Sequence, residues 1–270
     1  MPIRLTSSAA AVALVSALGF AAPAGASPTG FGAGAGKLLP GARTASSVDF
    51  AGYESSSSSP TAISVTTTIV VPAVNKCGTA RKVVIPFVSA SAGSGDFAAV
   101  GLDIHCRNSK VIYFPIFDVN GTNTARAQAH AHPGDRVVVR MSWNSARLVL
   151  AVVDKTRPSV TRKLTGLGDS SFSDPAIGAS NIDRQVPVPD FGKVNFSNSK
   201  INGRALGAAP SLERFNLVNS SHTLQIKTGP IASNKESFTT TFKHSEAKGV
   251  AHSFSTPGRS GRPRRVRRSR

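Results

Sequence analysis

Acidic and aromatic residues are both scarce in this chain. Its 270 residues include 14 Asp and Glu against 32 Lys and Arg, with one Trp and two Tyr. That is too few Trp and Tyr for a platform on which single-stranded bases stack, so specific nucleic-acid recognition is not expected. Cysteine is nearly absent as well, and Cys77 and Cys106 lack the C-x-x-C spacing of a zinc framework. The sequence contains no G-x-S-x-G elbow, no glycine-rich phosphate loop and no H-E-x-x-H helix, which removes the common serine-hydrolase, nucleotide-binding and zinc-protease readings. Nothing in it implies a cofactor. Glycosidase chemistry needs two carboxylates about 5–10 Å apart. Asp103, Asp118 and Asp183 are available for it, but no paired acid motif is present.

Long apolar runs are confined to the N-terminus. The stretch "MPIRLTSSAAAVALVSALGFAAPAGASP" has one basic residue, Arg4, an apolar centre and an Ala24-Gly25-Ala26 end. This is the pattern of a secretory signal peptide, residues 1–26, cleaved after Ala26. A membrane anchor is the other reading. The strictly apolar part, residues 9–22, falls short of the roughly 20 helical residues that cross a bilayer, and no second apolar run follows, so no transmembrane segment is expected after cleavage. The mature chain is expected to be secreted or bound to the cell surface, and the Ala-rich signal and Arg-rich tail read as bacterial. In that oxidising setting Cys77 and Cys106 can form one disulfide closing a loop of about 30 residues, worth about 3 kcal/mol. Two inert buried thiols are the alternative. The N-x-[ST] triplets at Asn120, Asn195 and Asn219 matter only in a glycosylating host.

The net charge of +18 is unevenly placed. The last 14 residues, "PGRSGRPRRVRRSR", hold seven arginines and no acid, whereas residues 48–244 carry 21 Lys and Arg against 13 Asp and Glu. With Gly, Pro and Ser between its arginines, the segment 245–270 is expected to be a disordered tail. It suits polyanions: lipid headgroups, anionic cell-wall polymers or DNA.

Residues 27–47 are rich in Gly, Ala, Ser and Pro without a period and read as a flexible leader. From Val48 the chain alternates β-branched runs with turn residues, with expected strands at 61–72, 81–89, 97–104, 110–119, 135–143, 146–155, 158–164, 192–199, 222–228 and 237–244. Strands of this length and density imply one all-β domain, residues 48–244, built as an antiparallel sandwich or barrel. Asn120-Gly121 is the strongest hairpin signal, and a second hairpin is expected around Asn144-Ser145. The strand after it is apolar on both faces, with Leu148, Leu150 and Val152 on one and Val149, Ala151 and Val153 on the other. That favours a central strand of a two-sheet sandwich. The best helix candidate is "APSLERFNLV", residues 209–218, with Leu212, Phe215 and Leu217 as its apolar side.

Four stretches carry a resemblance: "FAGY" at 50–53, "AAVGLDIHC" at 98–106, "GTNTARAQAHAHPGDRVVV" at 121–139 and "VPVPDFGKVNFSNSKINGRAL" at 186–206. In order and spacing they resemble the glutamic peptidase (eqolisin) family, secreted acid proteases with a concanavalin A-like, jelly-roll-type β-sandwich. The resemblance implies that fold for residues 48–244. It also implies an active site made of a glutamine and a glutamate. The glutamine of the family's I-L-Q-T-G-F pattern corresponds to Phe114 in "VIYFPIF", and Phe has no donor, acceptor or proton. The glutamate closing A-E-W-I-V-E corresponds to Asp183 in "GASNID" when no gap is allowed. The Y-E-W-Y-P stretch that lines the family's cleft corresponds to the region of His130 and His132, with Pro133 shared. Asp103 keeps the acid of the W-V-G-I-D stretch.

His130 and His132 are two apart, so in an extended chain their imidazoles share a face. A metal or proton-transfer site would need a third ligand that nearby spacing does not supply, and two half-exposed strand histidines are the plainer reading. The implied cleft-lining set is thus Phe114, His130, His132 and Asp103. Loss of one member of a catalytic pair that acts as a unit can cost orders of magnitude in rate. The expected function is therefore an exported, monomeric binding module for peptide or cell-envelope polymer. The alternative is an acid endopeptidase that uses a rearranged carboxylate site, Asp183 with Asp103 or with His132.

Overall fold

In a computed structural model of the chain, residues 44–56, 60–91, 95–120, 122–123, 130–157, 162–166, 172–181 and 186–245 are described. They form sixteen strands: β1 Thr44–Ser47, β2 Phe50–Ser55, β3 Ala62–Val70, β4 Lys82–Ser91, β5 Phe97–Arg107, β6 Lys110–Val119, β7 Thr122–Asn123, β8 Arg136–Asn144, β9 Arg147–Asp154, β10 Arg162–Gly166, β11 Asp174–Ser180, β12 Lys193–Ile201, β13 Arg204–Ala205, β14 Leu212–Val218, β15 Leu224–Thr228 and β16 Phe238–Phe242. Apart from one short 3-10 turn at Leu206–Ala208, no helix occurs among the described residues. The fold is an all-β sandwich.

Hydrogen bonding runs in one path, β10-β9-β8-β3-β12-β16-β15-β14-β2-β11-β4-β5-β6-β7. All pairs on this path are antiparallel, while β1 adds to β14 in parallel. The path folds on itself at β14, whose residues 212–215 pair with β2 while Leu217 and Val218 pair with β15 across a register shift. The segment expected as a helix is therefore a strand that turns the corner between the two layers. Its Leu212 and Leu217 reach the main core, whereas Phe215 packs on the opposite side of the sheet. β1 falls within the stretch read as leader.

Strand alternation fills the core. Ile63, Val65 and Ile69 of β3, Val137, Val139 and Met141 of β8, and Leu148, Leu150 and Val152 of β9 face Val84 and Val88 of β4, Val100, Leu102 and Ile104 of β5, and Ile177 of β11. Each such side chain, fully buried, contributes about 1.5–3 kcal/mol. The buried hydroxyls of Thr67 and Ser199 satisfy each other at 2.8 Å. Both expected hairpins form. Val119 pairs with Thr122 around Asn120, whose φ is 52°, and Asn144 pairs with Arg147. A third two-residue turn, Asn202-Gly203, joins β12 to β13 with φ of 51° and 76°, as a type I′ turn requires. Cys77 and Cys106 are joined, with their Cα atoms 5.1 Å apart. The link ties the loop before β4 to β5.

Candidate functional site

The layer β14-β2-β11-β4-β5-β6 has a second face, turned away from the main core. Register fixes which residues share it. One row across the strands reads Glu213, Glu54, Ala176, Ser89, Ala99, Asp118, and the next reads Phe215, Gly52, Gly178, Phe87, Gly101, Ile116. A third row brings Phe50 and Ser180 into line with Asp103 and Phe114. The centre of this face is closed: Phe50, Val83, Ile85, Phe87 and Ala176 form a separate buried apolar cluster, joined by the partly buried Val186 and Phe215. The rings of Phe50 and Phe215 lie 5.1 Å apart, and those of Phe50 and Phe87 6.1 Å apart. Among the described residues, Ala99, Asp103, His105, Ile112 and Ile116 on the β5–β6 side are partly exposed, as are Glu213 and Phe215 on the β14 side, and Ala99 and Ile116 pack on the rim of the cluster.

The glycines beneath the cluster are obligatory. A Cβ on Gly52 would lie 2.2 Å from the Ile177 carbonyl oxygen, one on Gly178 2.2 Å from that of Ala51, and one on Gly101 2.3 Å from that of Pro86. Bare backbone on this face lets β2, β11, β4 and β5 approach closely while aromatic rings cover them.

Two polar groupings flank the cluster. On the β5–β6 side, Asp103 Oδ1 and His105 Nδ1 are 3.3 Å apart, with their side chains 15% and 22% exposed. The His105 ring meets the Phe114 ring edge-on at 5.3 Å. A carboxylate oxygen accepts, so Nδ1 is the donor in this hydrogen bond. On the other side, Glu54 is buried directly across from Glu213, with Asp174 on the neighbouring strand. Burial pushes the Glu54 carboxyl up to about 7, and the charges of Asp174 and Glu213 add to the rise. Glu54 and Phe114 stand on strands four places apart and four residues apart along them, about 23 Å at the usual strand and residue spacings.

The structure thus brings Asp103 and Phe114 together and adds His105, which lies in the quoted "AAVGLDIHC" stretch and shares Asp103's face two residues on. Ala131 donates its backbone N–H to the Tyr113 carbonyl at the β6 edge and is buried, while His130 beside it is exposed. His132 is 52% exposed in the turn before β8. There its backbone N–H donates to Asp135 at 2.8 Å, a carboxylate that also accepts from Arg157 Nε at 3.1 Å. Replacing the buried Asp135 with Ala should cost about 2 kcal/mol, visible as a lower urea midpoint with an unchanged m-value. No three His, Cys, Asp or Glu side chains gather into a metal-binding group among the described residues. Asp183 lies outside the described residues, as do the signal segment and the arginines of the tail.

Residues 48–242 match the profile of the Peptidase A4 family. The chain belongs to this family. Among solved structures, scytalido-glutamic peptidase with a transition state analog inhibitor is similar at a TM-score of 0.57 and 11% identity, covering 73% of this chain and 98% of that one. A second structure of that peptidase, with a peptide-based transition state analog, gives 0.52 at 11% identity and the same coverage. Aspergilloglutamic peptidase from Aspergillus niger gives 0.47 at 14% identity, over 60% of this chain and 99% of that chain. No curated protein matches the chain. At these identities the first two likenesses establish the fold, the β-sandwich of the glutamic peptidases. For an A4 chain the position of Phe114 is consequential, because the ring is 7% exposed and packed on the same sheet face as Asp103.

Proposed function

We propose that this chain is an exported, non-catalytic A4-family protein that holds an extended polypeptide against the open β5–β6 strip without cleaving it. The observation that carries this reading is Phe114, which stands at the glutamine position indicated by the sequence resemblance and is packed against His105. A phenyl ring can neither orient water nor stabilise an oxyanion, and the neighbouring floor is filled by the Phe50, Ile85 and Phe87 cluster. The acids that remain are divided. Asp103 is engaged with His105, and Glu54 sits three strands away across the sheet. What stays open suits a binder: alternating Ile112 and Ile116 for apolar side chains, with Asp103 and His105 for backbone amides. The Arg-rich tail adds salt-sensitive adhesion to the cell envelope.

The reading is tested by fluorescence anisotropy with a labelled, reduced and alkylated polypeptide. Ile116→Ser combined with His105→Ala should weaken binding by at least about tenfold, the loss expected for one apolar contact and one hydrogen bond, with the circular dichroism unchanged. Equal affinity of the two proteins would reject the strip as the site.

A second reading, an acid endopeptidase with a rearranged carboxylate site, is favoured by one observation. Glu54 is a carboxylic acid held neutral to about pH 7 beside two further carboxyls, the condition under which carboxyls share protons in acid catalysis. It predicts acid-dependent cleavage that Glu54→Gln abolishes.

A further inference from the structure

Away from the sheet face, at the end of the sandwich where β16 leaves the layer, an open cavity of about 530 Å³ is lined by Lys76, Lys82, Lys243 and His244 together with Asp190 and Phe242. Three lysines and one aspartate therefore line it. That carboxylate is already used: Asp190 Oδ1 accepts from the Asn75 side chain at 3.2 Å and from the Gly192 N–H at 3.2 Å, bonds that fix the loop carrying Lys76. None of the three lysines has an ion-pair partner among the described residues.

The charge extends beyond the cavity. Thr241 of β16 is flanked in register by Lys193 of β12 and Lys227 of β15, both on the solvent face. Lys243, two residues on, continues the same face, its backbone N–H still bonded to the Gln225 carbonyl at 2.8 Å. Like charges set around one threonine repel in the free protein, and a bound anion relieves that repulsion. Lysines lining one cavity together with an imidazole match the acceptor-rich surface of a phosphate group, which lysine binds as a point charge.

We propose that the Lys76, Lys82 and Lys243 cavity is a phosphate-binding site that receives phosphate groups carried on an anionic polymer. The site is independent of the polypeptide-binding reading of the β5–β6 strip. It differs from the adhesion assigned to the tail in being a localised pocket, so the test holds the tail and the net charge constant. The full mature chain is titrated with inorganic phosphate and with polyphosphate by calorimetry and by amide chemical shifts. It is compared with Lys76→Glu/Lys243→Glu and with a control of equal charge change, Arg140→Glu/Lys155→Glu, both of whose residues are exposed and lie outside the cavity.

The pocket variant should lose at least about tenfold in polyphosphate affinity while the control changes by less than about threefold. In the wild-type chain the amides of Lys243, His244 and Ser245 should shift on titration. Shifts with inorganic phosphate alone identify the free group as sufficient, and shifts only with polyphosphate assign the site to the polymer. Equal losses in both variants, or no shift at those three amides with either probe, overturn the proposal. The wild-type shifts decide the matter even where the charge-reversed chain does not fold.

Discussion

Gly178→Ala is expected to destabilise the chain severely. The added methyl would sit 2.2 Å from the Ala51 carbonyl oxygen and 3.0 Å from the Gly52 Cα, well inside van der Waals contact. Both obstacles are backbone of β2, the strand hydrogen-bonded to β11 at this point. No rotamer change relieves the clash, so the two strands must separate and lose their ladder bonds. They are also the strands that link the β14 corner to β4 and β5. The cost should reach about 4 kcal/mol or more, the range reserved for such backbone collisions, against a total domain stability of about 5–15 kcal/mol. Urea denaturation of the purified protein checks it. Recovery of Gly178→Ala with a midpoint close to wild type would mean that β2 and β11 are not paired as described.

Glu54→Gln should change how stability depends on pH. In the folded chain the carboxyl stays protonated up to about pH 7, whereas in the unfolded chain it ionises near the ordinary 4.5. Between those values the folded state binds the extra proton, so this group makes stability fall as pH rises from about 4.5 to about 7 and leaves it constant outside that window. The interval corresponds to roughly 3 kcal/mol. Glutamine cannot ionise, so Glu54→Gln should remove that part of the slope and be the more stable protein at pH 8. Urea midpoints at pH 4, 6 and 8 measure it. Parallel curves for the two proteins would mean that Glu54 is solvated.

The strands legible in the sequence are those rich in β-branched residues. β3 to β6, β8, β9, β12, β15 and β16 all fall on runs of Val, Ile, Thr or Phe. β2 and β11, "FAGYES" and "DPAIGAS", were illegible, because Gly, Ala, Ser and Pro are poor strand formers in isolation. They become strands only because each lies between two others, at a backbone distance that forbids side chains at Gly52 and Gly178. β14 reads as helical because Leu212, Phe215 and Leu217 fit a helical stripe; in the structure Leu212 and Leu217 pack on the main core and Phe215 on the outer cluster.

The same contrast governs the site. Phe114 and Asp103 were visible because they lie on legible strands in a recognisable order. His105 was within reach, since period-two alternation from Asp103 places it on the same face. Glu54 was not, because without β2 as a strand nothing places it beside Asp174 and Glu213, and its altered proton affinity arises from burial that a single sequence does not display.

The central claim is that this A4-family sandwich binds without hydrolysis. The measurement is to incubate the purified protein with a denatured protein substrate at each pH from 2 to 7, beside Glu54→Gln and Asp183→Ala. An intact substrate is expected at every pH, from protein shown to be folded by its circular dichroism. Acid-dependent cleavage that either substitution abolishes would overturn the proposed function and establish a carboxylate-based peptidase site.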